Sequence, residues 1–180
     1  DGSSRVTTTD VPFAYARTDP FSFQVKVKTT SVTESILVSK RIDLTAANAG
    51  YVLGMTAAGL PFVEISNGTT DYIVTGTTAI NDGDWHTIGF TFDGASDQSG
   101  MKLYVEGFLN ATGAATAITG TTTNSELLTF GAGSAGASPY TGNLDDFRIY
   151  NTELTARLID RLSKMTQSDL DIVQTKVQWK

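Results

Sequence analysis

The chain of 180 residues contains no cysteine. Disulfide scaffolds, thiolate metal sites and cysteine nucleophiles are therefore excluded. It has a single histidine, His86, so any Ser-His-Asp relay or histidine base would have to use that residue. No run of about 18 apolar residues occurs, so no helix is expected to insert into a membrane. Basic residues are almost missing from the middle of the chain. From Ile42 to Phe147 the only Lys or Arg is Lys102, against eleven Asp and Glu. Such a stretch repels phosphate backbones, so nucleic acid is not an expected partner. It would attract a hard cation, although the plainer reading is a solvated acidic surface. The formal charge is −6, with 40 % hydrophobic and 18 % charged residues, which argues against disorder.

What the chain does have is β-branched residues and glycine, 28 Thr and 17 Gly. Alternation of period two dominates. Phe21, Phe23, Val25 and Val27 alternate with Ser22, Gln24, Lys26 and Lys28, and Ser35–Ser39 reads as a more fully buried strand. Tyr51–Met55 and Phe62–Ser66 flank a hairpin connection, and Asp71–Thr75 precedes a turn at Asn81-Asp82-Gly83-Asp84. His86, Ile88, Phe90 and Phe92 share one face of the next strand. Met101, Leu103 and Val105 share a face of the one after it, and Gly107 then permits a tight reversal. Glu126–Phe130 and Leu144–Tyr150 are the last strands expected. Regular spacing with no helix between strands predicts an all-β antiparallel sandwich. Thr155 is a plausible N-cap for a short C-terminal helix carrying Leu158, Ile159, Leu162 and Met165.

Three ordered motifs then resemble a known family. Asp84-Trp85-His86-Thr87-Ile88-Gly89-Phe90-Thr91-Phe92-Asp93-Gly94 with Leu103-Tyr104-Val105-Glu106-Gly107 is similar to its "DGxWHHVAxTFDG … LYVDG" pair. Gly142-Asn143-Leu144-Asp145-Asp146-Phe147-Arg148-Ile149-Tyr150-Asn151 resembles "GxIDDVRIYN", and Asp1-Gly2-Ser3-Ser4 resembles its "FDGSS" start. These are marks of laminin-G-like, concanavalin A-like jelly-roll domains. Lys26 and Thr87 depart from the pattern, and the strand that often precedes "FDGSS" is absent, so a piece of a longer protein is expected. Residues 1–165 are expected to form the jelly roll, and 166–180 a C-terminal extension, either a linker or an assembly arm.

Candidate sites follow from residue chemistry. Gly131-Ala132-Gly133-Ser134-Ala135-Gly136 matches a dinucleotide fingerprint in letters, but Pro139 and Gly142 follow where a helix would be needed. His86 has the parity of the core and reads as a structural histidine. Asp82 and Asp84 sit in a turn, and no paired-carboxylate run of a retaining glycosidase occurs. Asp145 shares parity with Phe147 and Ile149 and is expected to face inward, while Asp146 is placed to pair with Arg148. An inward carboxylate needs hydrogen bonds or a cation. Asp145 and Asp146 are therefore candidate calcium ligands, and the family resemblance also implies a structural or ligand-bridging calcium. Tyr104, Tyr140, Asp82 and Asp84 are candidate ligand-binding residues, the tyrosines as exposed stacking faces. Trp85 is expected to pack. Asn67-Gly68-Thr69 and Asn110-Ala111-Thr112 match glycosylation acceptors, a pattern that a Thr-rich chain produces by chance.

The expected function is a non-catalytic recognition or adhesion module, binding glycans or surface polymers with or without calcium. The alternative is a structural or decoration domain of a larger assembly, meeting other chains or domains. A polysaccharide hydrolase or lyase ranks last. Each reading places the chain outside the cell, on a cell surface or on a virion.

Overall fold

The computed structural model describes residues 5–8, 13–45 and 47–165. The expectations for Asp1–Ser4 and for 166–180 lie outside the described residues. The strands are β1 (Val6–Thr7), β2 (Phe21–Lys28), β3 (Ser35–Ser39), β4 (Ala49–Met55), β5 (Pro61–Asn67) and β6 (Asp71–Thr75). They continue as β7 (Trp85–Phe92), β8 (Lys102–Val105), β9 (Phe108–Thr112), β10 (Thr129–Phe130) and β11 (Asn143–Tyr150), and α1 (Ala156–Ser163) closes the described chain. One sheet has the order β1-β10-β3-β4-β5-β6, the other β11-β2-β7-β8-β9, and every ladder is antiparallel. The all-β antiparallel sandwich with one short C-terminal helix is thus what forms. Among the described residues no helix is long and apolar enough to cross a membrane.

Alternation decides which side chains meet between the sheets. Phe21, Phe23, Val25 and Val27 of β2 bury against Tyr51, Leu53 and Met55 of β4 and Val63 and Ile65 of β5. Each such side chain contributes about 1.5–3 kcal/mol. Phe21 is the aromatic hub: Tyr15 stacks on it at 4.5 Å, and Tyr51 and Phe90 lie at 5.2 and 5.5 Å. At the β8–β9 reversal, Glu106 and Gly107 take φ of 51° and 82°. Two positive values in succession make the primed turn that matches strand twist.

The helix covers the other side of the five-stranded sheet. Thr155 caps it as expected, its hydroxyl accepting from the N–H of Leu158 at 3.4 Å. Ile159 settles over Gly89, where an added Cβ would stand 3.1 Å from Ile159 Cγ2. Tyr104, Leu154 and Ile159 form a small separate core under the helix. Of the expected strand Glu126–Phe130 only Thr129–Phe130 pairs. The cause is Asn124, whose side chain accepts from the Glu126 N–H at 2.9 Å and donates to the Lys40 and Ala49 carbonyls, holding that stretch as a loop.

Outside the main core, the loop after β3 is pinned to the six-stranded sheet by a buried cation. Arg41 is fully buried, ion-paired with Glu64 and lying 3.3 Å from Asp71 through Nη2. The same nitrogen donates to the Thr45 carbonyl at 2.6 Å. Removing one partner of a buried pair leaves the other charge uncompensated. Arg41→Ala is expected to lower stability by about 3–5 kcal/mol, read from the urea midpoint. The double change Arg41→Met with Glu64→Leu should recover most of that loss. A double variant as unstable as the single one contradicts the account.

Candidate functional site

The sandwich gapes along the edge where β11 of one sheet faces β1 and β10 of the other. Val6, Phe130, Tyr140, Leu144 and Phe147 line a cleft of about 400 Å³ that reaches inward to Val25, and Asp145 and Asp146 border it. Its shape comes from an irregularity in β11. Asp145 pairs with Lys26 and Arg148 with Gln24, so Asp146 and Phe147 together oppose Val25 alone. This is a β-bulge, and its extra residue, Asp146, takes φ 52°.

The bulge corrects the expected orientation of Asp145. An inserted residue reverses parity, so Leu144 and Phe147 both pack against the core while Asp145 is exposed. Its Oδ1 accepts the N–H of Asp146 at 2.8 Å. Asp146 does pair with Arg148: Nε donates to Oδ1 at 2.8 Å and Nη2 to Oδ2 at 2.7 Å, a bidentate fork. Lys26 Nζ stands 3.5 Å from the same Oδ2. A cation at Asp146 would thus compete with two resident cationic side chains. Among the described residues, no group of three or more His, Cys, Asp or Glu is placed to hold a metal ion.

The two tyrosines depart from their expected exposure. Tyr104 keeps its predicted parity, yet α1 covers that face and leaves it 3 % exposed. Tyr140 lines the cleft but is buried, and its hydroxyl donates to the Lys28 carbonyl at 3.1 Å. Conversely, Trp85 is not packed away but 47 % exposed. Its partner in the ladder is Lys28 at the end of β2. Lys28, Gly83, Thr141 and Asn143 line a smaller pocket that adjoins the cleft through Gly142. Gly142 has φ 157°, and a Cβ there would lie 2.4 Å from the Lys28 oxygen. No larger residue fits that junction.

Asp82 and Asp84 belong to the same rim of loops. Asp82 Oδ1 accepts the Asp84 N–H at 2.9 Å and contacts His86 Nε2 at 2.9 Å. The Asp84 N–H, and after it His86, hold the Asp82 carboxyl below the ordinary carboxylate range. His86 Nδ1 lies 3.1 Å from Glu106 Oε1, so the ring ties the turn to the β8–β9 hairpin. This fits a structural histidine. Asn67 and Asn110 are spent on structure as well. Asn67 Oδ1 accepts the Thr69 and Thr70 N–H groups, and Asn110 Oδ1 accepts that of Thr77 at 2.7 Å. The Gly131–Gly136 loop closes on Arg41 and Gly133 carbonyls and leads to β11, with no helix following it.

Two antiparallel sheets, an edge cleft and a rim of loops define a jelly-roll sandwich of the lectin type. The sequence profile of the concanavalin A-like lectin/glucanases superfamily matches residues 1–160, and the chain belongs to that superfamily. No curated protein matches it in sequence. Among solved structures, the chain is similar to the binding domain of Paraclostridial Mosquitocidal Protein 1 (TM-score 0.65, 16 % identity), with 89 % of this chain matching 40 % of that one. It is also similar to the CBM40 of the Ruminococcus gnavus IT-sialidase bound to α2,3-sialyllactose (TM-score 0.62, 22 % identity, 81 % of this chain and 83 % of that). The native heptameric SAP-like pentraxin from Limulus polyphemus is a third (TM-score 0.61, 11 % identity, 91 % and 83 %). At such identities the likeness establishes the fold alone.

Burial pushes the Tyr140 phenol up to about 12. An unfolded phenol ionises near about 10, so the neutral phenol's contribution is complete below that pH and is lost as pH rises through about 12. Urea titrations at about pH 9 and about pH 11 should show stability falling, and Tyr140→Phe should reduce that fall. An unchanged slope in the variant would place the alkaline sensitivity elsewhere.

Proposed function

We propose that the chain is a non-catalytic recognition module that holds a glycan or a sugar-bearing surface polymer in the edge cleft. The observation that carries this is the cleft itself, about 400 Å³ with half-buried Phe130 and Phe147 as walls and the exposed Asp145 at its border. That volume lies in the range of small-ligand sites. Phe130 and Phe147 meet edge to face at 4.8 Å, so the apolar wall is rigid. Sugar C–H faces pack on such walls, and their hydroxyls donate to a carboxylate. The fold relatives support the reading: one solved relative is a CBM40 with sialyllactose bound, and another is the binding domain of a mosquitocidal protein. A module of this kind works at an extracellular surface.

Calcium is an auxiliary to this reading and not a requirement. Asp146 already has Arg148 and Lys26 as partners, which leaves Asp145, among the described residues, as the carboxylate at the cleft without an ion pair. A printed glycan array probed with and without EGTA tests both points. Binding to a restricted set of glycans that persists in EGTA is expected. Phe147→Ala and Asp145→Asn should each weaken the bound glycan about tenfold, the second matching loss of one charge-assisted hydrogen bond. Leu158→Ser, on the exposed side of α1, should leave it unchanged. Absence of binding to every glycan in both conditions overturns the reading.

A further inference from the structure

The six-stranded sheet carries a second recess, at the opposite end of its strand order from the edge cleft. It lies on the face turned away from the core, over β5 and β6, and measures about 290 Å³. Phe62, Leu44 and Ile73 supply its apolar surface, and Glu34, Glu64 and Asp71 supply three carboxylates; no Lys or Arg lines it. Thr56 and Thr75 add hydroxyls. Phe62 lies against the sheet over Gly54, where an added Cβ would sit 2.3 Å from its Cζ, so the absent side chain makes room for the ring. Ile73 is 46 % exposed, an apolar residue open to solvent beside the carboxylates.

The charge there is not balanced from below. Among the described residues, Arg41 is the cation paired with the recess carboxylates, and it is shared between Glu64 and Asp71. Glu64 has a side chain only 4 % exposed, and its Oε1 is held by Arg41 Nη1. Glu34 is exposed at the mouth and outside this network. Three negative charges against one positive leave the recess anionic. An aromatic ring and an aliphatic side chain stand within the same volume. This combination suits a compact cation carried on a small, partly apolar, hydroxylated body. Carboxylates satisfy the cation, the ring adds a cation–π contribution, and Ile73 and Leu44 meet C–H groups.

We propose that this recess is a second binding site, taking a sugar that bears a free primary ammonium, an amino sugar without its acetyl group. Acetylation removes the charge that the recess complements, so the site discriminates between the two forms. An anionic sugar would face a net negative charge and is excluded. The site is distinct from the edge cleft and does not depend on what that cleft binds.

The test is an amide chemical-shift titration of the full chain with tetrameric glucosamine and, separately, with tetrameric N-acetylglucosamine, in buffer just above the carboxylate range. The free-amine tetramer should shift the amides of Phe62, Ile73 and Thr75 and weaken severalfold in high salt. The acetylated tetramer should leave those three amides unmoved. Glu34→Gln, at an exposed position that carries no packing, should raise the Kd about threefold to tenfold. Ile73→Lys, which places a cation in the recess at an already exposed position, should abolish the shifts while the spectrum stays folded. Equal binding of both tetramers, shifts confined to the edge cleft around Tyr140 and Phe147, or no shifts at all would each overturn the proposal. The cleft reading is judged by its own residues, so either can fail without the other.

Discussion

The extra residue in β11 governs more of this molecule than its size suggests. Asp146 in a left-handed conformation costs roughly 1–3 kcal/mol and persists only because its surroundings hold it. What holds it is visible: Arg148 grips both carboxylate oxygens, and Lys26 approaches from the neighbouring strand. Beyond the bulge the parity of the strand is reversed. Phe147 and Ile149 turn inward against the core, and Tyr150 turns outward beneath α1. Before it, Leu144 also points inward. The edge cleft is the space between Leu144, Phe147 and the facing strand β10. Bulge, ion pair and cleft are one feature.

The acidic excess has a second explanation once the loops are seen. Asp43, Asp82, Asp93 and Asp97 each accept the N–H two residues ahead, at 2.8 to 2.9 Å. This is the turn-forming use of aspartate, in which the side chain stands in for a backbone carbonyl. It holds the carboxyls of Asp43, through Thr45, and of Asp97, through Ser99, below the ordinary carboxylate range. These acids stand where the chain turns, and their negative charge is a by-product of β-architecture with many tight connections. Carboxylates already accepting backbone donors have fewer free lone pairs for a cation.

The alternation of β2 and β7 was legible in the sequence because each strand has one wet or helix-covered face and one dry face. The order of strands and the capped helix followed from the same signal. Side-chain direction near β11 was not legible, since a bulge shifts every residue beyond it by one and leaves no mark in composition. Asp-Asp-x-Arg gave half of the signal: the Asp146–Arg148 pair is readable, but the left-handed backbone between them is not. The burial of Tyr104 was missed for a different reason. Its face is polar by pattern, and only the docking of a helix some fifty residues later makes it interior. Arg41 escaped notice because a lone arginine beside Lys40 reads as surface, whereas its partners Glu64 and Asp71 are brought to it by two other strands.

The placement of recognition surfaces follows from what the chain has already covered. A two-sheet sandwich has two outer faces, two long edges and two ends of loops. Here α1 occupies the outer face of the five-stranded sheet, with Gln24, Gly89 and Tyr104 beneath it. The edge between β6 and β9 is closed by side-chain bonds, Gln98 to the Ile73 carbonyl and Asn110 to the Thr77 and Thr78 amides. The loop carrying Arg41 and Leu44 covers part of the remaining outer face. Among the recesses that remain are the edge at β11 and the strip of outer sheet beside that loop. An ion pair borders each of these two: Asp146–Arg148 at the bulge, and Arg41–Glu64 under the loop. A well-packed hydrophobic replacement of either pair is compatible with stability but removes the directional contacts that fix where these side chains stand beside the recess.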